Sequence, residues 1–167
     1  MKNEALAAFF IIVITAVFVI AVLSFLPPES LPERALLNAD EIPGDWKLDP
    51  NYGDETHKRF YVGEIPDAPP AYIRLGLTQY DNSTRAHQEF LSSKSYHSAF
   101  ISQEPALGDE CYLMSANSSS AEYREILCRV GDITVHAVVM STQGHYLTDE
   151  WIFDLIQLQI EKIQRSR

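Results

Sequence analysis

Cysteine is nearly absent from this sequence, with two residues, Cys111 and Cys128, in a chain of 167. Neither belongs to a Cys-x₂-Cys pair, which excludes the commonest structural zinc arrangement, and a chain of this length does not need a disulfide framework to build a core. Glycine is scarce too. Its seven residues stand singly, so no glycine-rich loop is available to cradle a phosphate. Basic side chains are the minority charge, 13 against 23 acidic, for a net charge of −10. Such a surface repels phosphate backbones and anionic headgroups, which excludes nucleic acid as a partner. Basic partners, or solubility beside a membrane, suit it better.

Catalytic patterns are missing as well. The five histidines, His57, His87, His97, His136 and His145, have no His-x₃-His spacing, and no pair of them shares a local helical face with a carboxylate. No serine lies in a Gly-x-Ser-x-Gly elbow. Asp109-Glu110 and Asp149-Glu150 are adjacent carboxylates. Neighbours on a strand face opposite ways, and the second pair opens a helix, so solvated and capping roles are expected for them. His136, in the most apolar strand, reads as a hydrogen-bonded, half-buried histidine rather than a ligand. No cofactor, metal site or enzyme signature is indicated.

What the chain does have is one long apolar run. Residues 5–26 carry no charge. As a helix they reach about 33 Å, enough for a hydrocarbon core of about 30 Å. Pro27 and Pro28 end the hydrogen-bond ladder where the run ends. A cleaved signal is the alternative, but the run is longer than a signal core, the n-region has only Lys2 and the terminal amine, and Val19-Ile20-Ala21 is a poor cleavage triplet. An uncleaved single-pass anchor in the cell membrane is therefore expected at 1–26, with the lipid bilayer as its first partner. Lys2 on the short side places the N-terminus in the cytoplasm and the remainder on the extracytoplasmic side.

Residues 27–56 are expected to form a proline-stiffened juxtamembrane stalk with a short helix through Leu37, capped by Ser30 and Glu33. The remaining segment, 57–167, is expected to be the extracytoplasmic domain. Alternation from Lys58 to Ile65 and through Ile73, Leu75 and Leu77 predicts two strands. A helix capped near Asn82 follows, carrying Ala86, Phe90 and Leu91 and fraying in the serine-rich run 92–98. Strands are predicted at 110–115, 122–130 and 133–141, the last two joined by a Gly131-Asp132 turn. The closing helix starts at Thr148 with a buried stripe of Ile152, Leu155, Ile156, Ile160 and Ile163. The fold class is α+β, a mainly antiparallel sheet with packed helices in the order ββαβββα.

Cys111 and Cys128 fall nearly opposite each other if the strands 110–115 and 122–130 form a hairpin. A disulfide is expected there, in keeping with an oxidising compartment; two buried thiols are the alternative. Asn82-Ser83-Thr84 and Asn117-Ser118-Ser119 match glycosylation sequons in turns. Trp46, Tyr52, Phe60, Tyr61, Tyr72 and Tyr80 crowd the first half of the soluble part. They read either as ordinary core and edge packing or as a partner-docking surface.

The element order, the long closing helix and the Gly108-Asp109-Glu110 turn entering the later strands resemble the PsbP-like fold over roughly residues 57–165. That fold occurs in extrinsic subunits of photosynthetic membranes and in extracytoplasmic lipoproteins. The resemblance implies a fold and no functional residue, and a transmembrane run stands here in place of a lipid anchor. With a stiff stalk and no catalytic motif, the expected function is a non-catalytic accessory subunit, its helix packed against integral membrane subunits of a complex. A ligand-binding or sensory ectodomain acting through a partner membrane protein is the second expectation, and an anchored hydrolase the third.

Overall fold

The structure, a computed structural model, describes residues 30–49, 51, 57–63, 70–117, 121–142 and 148–167. The expected anchor at 5–26 lies outside these. Among the described residues no helix is long and apolar enough to cross a membrane.

The strands β1 (Trp46–Leu48), β2 (Lys58–Gly63), β3 (Ala71–Gln79), β4 (Ile101–Gln103), β5 (Glu110–Asn117), β6 (Ala121–Val130) and β7 (Ile133–Thr142) form one sheet in the order β1-β2-β3-β7-β6-β5-β4. Every pairing is antiparallel. The α+β class and the predicted strands are present. The sequence order is longer than ββαβββα because β1 and β4 were not legible. Each is three residues long, too short for alternation to register.

Three helices accompany the sheet among the described residues: α1 (Leu31–Ala35), α2 (Ser83–Tyr96) and α3 (Asp149–Ser166). The Thr148 hydroxyl accepts from the Trp151 N–H and caps α3. Its predicted stripe is buried against the inner sheet face, where Ile73, Leu75, Leu77, Ile126, Cys128, Ile133, Val135 and Val139 meet it in the main core. Cys111 and Cys128, paired in the β5–β6 register and buried, form a disulfide on that face.

The described residues of the segment read as a stalk contribute to this core. Ser30 caps α1 as predicted, yet the helix ends at Ala35, and Ala35, Leu36, Leu37 and Ile42 are buried with α3. Ending the helix early leaves carbonyls to satisfy, and distant side chains satisfy them. Buried Gln159 of α3 donates to the Ala35 carbonyl (2.6 Å) and accepts from the Leu37 N–H (3.1 Å). Lys162 donates to the Leu36 carbonyl (2.8 Å), and Arg59 to those of Leu36 and Leu37, both at 3.0 Å. Trp46 of β1 packs on Trp151, with ring centroids 5.6 Å apart.

On the outer face, α2 covers the β5–β6 side through Ala86 and Phe90, and Phe90 packs with Tyr112 and Met114. Leu91 is 46% exposed. One expectation for this helix fails, since the serine-rich run remains helical to Tyr96. The last turns are held from outside the helix: Ser93 shares a hydrogen bond with the Tyr112 hydroxyl (2.8 Å), and Lys94 pairs with Glu104 (2.5 Å).

The Gly108-Asp109-Glu110 turn is also tied in rather than solvated. Gly108 has φ +60°, and a Cβ there would lie 2.5 Å from the Arg129 carbonyl. Arg129 donates to Glu110 (2.7 Å) and Asp109 (2.9 Å), and Asp109 accepts from the Gly131 N–H (2.7 Å). Burial opposes the Glu110 charge, but the Arg129 and His87 bonds outweigh it and hold the carboxyl below its ordinary range. The turn thus staples the start of β5 to the β6–β7 hairpin.

Candidate functional site

Because side chains alternate across a strand and paired residues share a face, the outer face can be read as rows. One row runs Val62, Tyr72, Met140, Tyr123; the next runs Phe60, Arg74, Val138, Glu125; a third runs Lys58, Gly76, His136, Leu127. Away from α2 this face stays open. Tyr72 is 39% exposed and Met140 47%. Phe60, Tyr72, Arg74, Tyr123, Val138 and Met140, with Asp49 and Asn51 at the β1 end, line a cleft of about 830 Å³.

Between this cleft and α2 lies a polar line. The His136 imidazole donates from Nε2 to Glu125 Oε1 (2.6 Å), and the Tyr123 hydroxyl donates to the other carboxylate oxygen. The His136 bond comes first among the causes that bring the Glu125 carboxyl down to about 2, followed by the Tyr123 bond, with burial opposing both. The Tyr123 phenol is pushed well above its ordinary value, by burial first and then by the carboxylate that holds its proton. A neighbouring groove along α2 carries Ser93, His97 and Tyr112. There the Tyr112 hydroxyl lies 2.8 Å from Ser93 and 3.2 Å from His97 Nδ1, while Ser93 and His97 are 3.5 Å apart. The tyrosine, not the serine, is the histidine's closer partner.

Chemically, these are closed arrangements. Both oxygens of Glu125 are engaged, and Tyr123 is held protonated. Ser93 is bonded more closely to the Tyr112 hydroxyl (2.8 Å) than to His97 Nδ1 (3.5 Å). Among the described residues no three His, Cys, Asp or Glu side chains converge as a metal site requires. What the open face offers is shape: aromatic and aliphatic walls around one guanidinium.

The six aromatics named from the sequence do not share one surface. Tyr61 is fully buried on the inner face and donates its hydroxyl to the Leu37 carbonyl (2.5 Å), and Trp46 closes the core beside Gly63. Phe60 and Tyr72 line the open cleft. Tyr80, half-buried, lines the groove along α2, and Tyr52 lies outside the described residues. His136 is hydrogen-bonded and half-buried, in the manner its strand position predicts. Arg74, Tyr123 and Glu125 escaped sequence reasoning. Their alternation with buried neighbours put them on the outer face, but only the register sets Arg74 and Glu125 on either side of Val138.

No protein-family model matches the chain, and no curated protein or solved structure does either.

Proposed function

We propose that this chain is a non-catalytic accessory subunit of a membrane protein complex, anchored by residues 5–26 with its domain on the extracytoplasmic side. The observation that carries the reading is the clamp on residues 35–37. Four side chains from β2 and α3 (Arg59, Tyr61, Gln159 and Lys162) bond the backbone of the segment that follows the apolar run. From Ser30 onward the described chain that follows the apolar run is thus held against the domain. A segment ordered in this way suits a subunit that must meet a neighbour in one orientation, because preorganisation lowers the ordering cost of association. The Cys111–Cys128 disulfide supports an oxidising compartment.

Blue-native electrophoresis of gently solubilised native membranes tests the role. The chain is expected in a band well above its own 18.9 kDa, co-migrating with integral membrane proteins. Migration only as a monomer overturns the accessory role.

The open cleft favours a second reading, a ligand-binding ectodomain. Its volume of about 830 Å³ lies within the range of about 300–1,000 Å³ typical of small-molecule sites.

A further inference from the structure

Asp49 follows β1 and bonds across to β2, its N–H donating to the Phe60 carbonyl (2.9 Å). Phe60 in turn pairs with Arg74. Asp49, Phe60 and Arg74 therefore share one row of the sheet, and all three line the aromatic cleft. With neighbouring strands about 4.8 Å apart, the carboxylate and the guanidinium rise from backbone positions about 10 Å apart, with Phe60 between them. They do not pair with each other. Asn51 holds Asp49 instead, donating to Oδ1 from its backbone N–H (2.9 Å) and its amide (3.0 Å), which leaves Oδ2 without a partner among the described residues. The Arg74 guanidinium has no hydrogen-bonded partner among them either. Glu125, farther along the row beyond Val138, is closed by His136 and Tyr123. Asp49 is only 7% exposed, and a charge so far withdrawn from water calls for an opposite charge.

We infer that the cleft binds a free α-amino acid with an apolar side chain, its ammonium on Asp49, its carboxylate on Arg74 and its side chain along Tyr72 and Met140 of the adjacent row. The planar fork of a guanidinium matches a carboxylate in two bonds, and the second oxygen of Asp49 can accept from an ammonium. With a charge-assisted bond of about 2.8 Å at each end, an ammonium and a carboxylate on one carbon span about 8–9 Å. That matches the separation of the two strands once the side chains lean slightly together. The two protein charges cancel, so the cleft favours neither an anion nor a cation by its field. A ligand with only a carboxylate would dry Asp49 without a partner, and one with only an ammonium would do the same to Arg74. A zwitterion on an apolar frame satisfies both. The inference rests on the ligand-binding reading of the cleft and is independent of the accessory role.

The test uses the full chain in lipid nanodiscs and equilibrium dialysis, with empty nanodiscs as the blank. The probes are phenylalanine, 3-phenylpropionate, which lacks the ammonium, and 2-phenylethylamine, which lacks the carboxylate. Phenylalanine is expected to bind the native chain most tightly. Arg74→Gln is expected to weaken phenylalanine by about tenfold to a hundredfold without weakening phenylethylamine. Asp49→Asn keeps the acceptor for Asn51 and is expected to weaken phenylalanine by a similar factor without weakening phenylpropionate. The probe that each variant spares shows that its cleft is still folded. Tyr72→Ala, at an exposed position that tolerates truncation, weakens all three. If either analogue binds the native chain as tightly as phenylalanine, the zwitterion assignment is overturned while the cleft remains a binding site. If no probe binds the native chain, the assignment and the ligand-binding reading both fall. Phenylalanine binding that is indifferent to Tyr72→Ala overturns the location.

Discussion

At the scale of single residues, one buried and one half-buried polar group carry testable consequences. Gln159 has no exposed surface, and its amide meets one carbonyl and one N–H of the α1 exit. Gln159→Leu keeps the volume but strands both partners in the core. Each orphaned group costs about 1–3 kcal/mol, so a loss of about 3 kcal/mol is expected in urea unfolding. Gln157→Leu, two positions away and exposed, should change stability by less than about 0.5 kcal/mol. Equal effects would show that the Gln159 bonds are not what matters. Glu125 makes a prediction about pH. Its carboxyl is depressed from 4.5 to about 2 in the fold. The stabilisation is complete above the unfolded value and is lost as pH falls through the folded one. Stability should therefore decline between about pH 4.5 and 2. Glu125→Gln should flatten part of that decline, with Glu110 and Glu41 supplying the rest, since their carboxyls are also lowered. An unchanged acid limb would contradict the network.

At the scale of elements, the β5–β6 hairpin and the turn before it carry the test. The disulfide closes a loop with a sequence separation of 17. Loop-closure arithmetic assigns it about 3 kcal/mol, to be lost in a Cys111→Ala/Cys128→Ala variant. Both sulfurs are buried, so alkylation is done in denaturant without reductant. Mass spectrometry should find neither thiol labelled; two labelled thiols would remove the bridge. Gly108→Ala forces a side chain into left-handed backbone and against the Arg129 carbonyl. A loss of about 1–3 kcal/mol from backbone strain alone is expected, and the steric contact adds to it. Thermal unfolding of that variant beside Ser98→Ala, an exposed helical position, separates the turn from generic surface effects.

For the whole molecule, the consequence of the clamp is cooperativity. If residues 31–48 belong to the core, their buried amides open only with global unfolding. In native-state hydrogen exchange, the Leu37 N–H, bonded to Gln159, should be as protected as the central strands β3 and β7. Exchange at the rate of an exposed turn would mean that the segment behaves as the stalk its prolines implied. Over the described residues 30–49 the structure departs from a free-standing stalk for a physical reason. Proline restricts the backbone, but whether a stiff segment stands away from a domain or lies in it depends on apolar positions such as Leu36 and Leu37. These find their partners more than a hundred residues away in sequence.

Local pattern alone determined the long strands, the closing helix with its stripe, and the facing cysteines. Alternation at two and 3.6 residues is imposed by a nearby core and is visible in any short window. The apolar run at 5–26 is likewise a property of a single window, its length and its lack of charge, and it lies outside the described residues. Tertiary structure decided what required two distant segments to meet. The docking of α1 on Gln159 joins positions 124 apart in sequence, and the Arg129 staple gathers two carboxylates, Glu110 of β5 and Asp109 of the turn before it. The grouping of Arg74 with the aromatic cleft depends on the β2–β3–β7–β6 register. A one-residue slip in that register would send Arg74 to the opposite face from Tyr123 and Met140. Side-chain type was readable at every one of these positions. Neighbourhood was not, because it is a property of the folded chain rather than of any window along it.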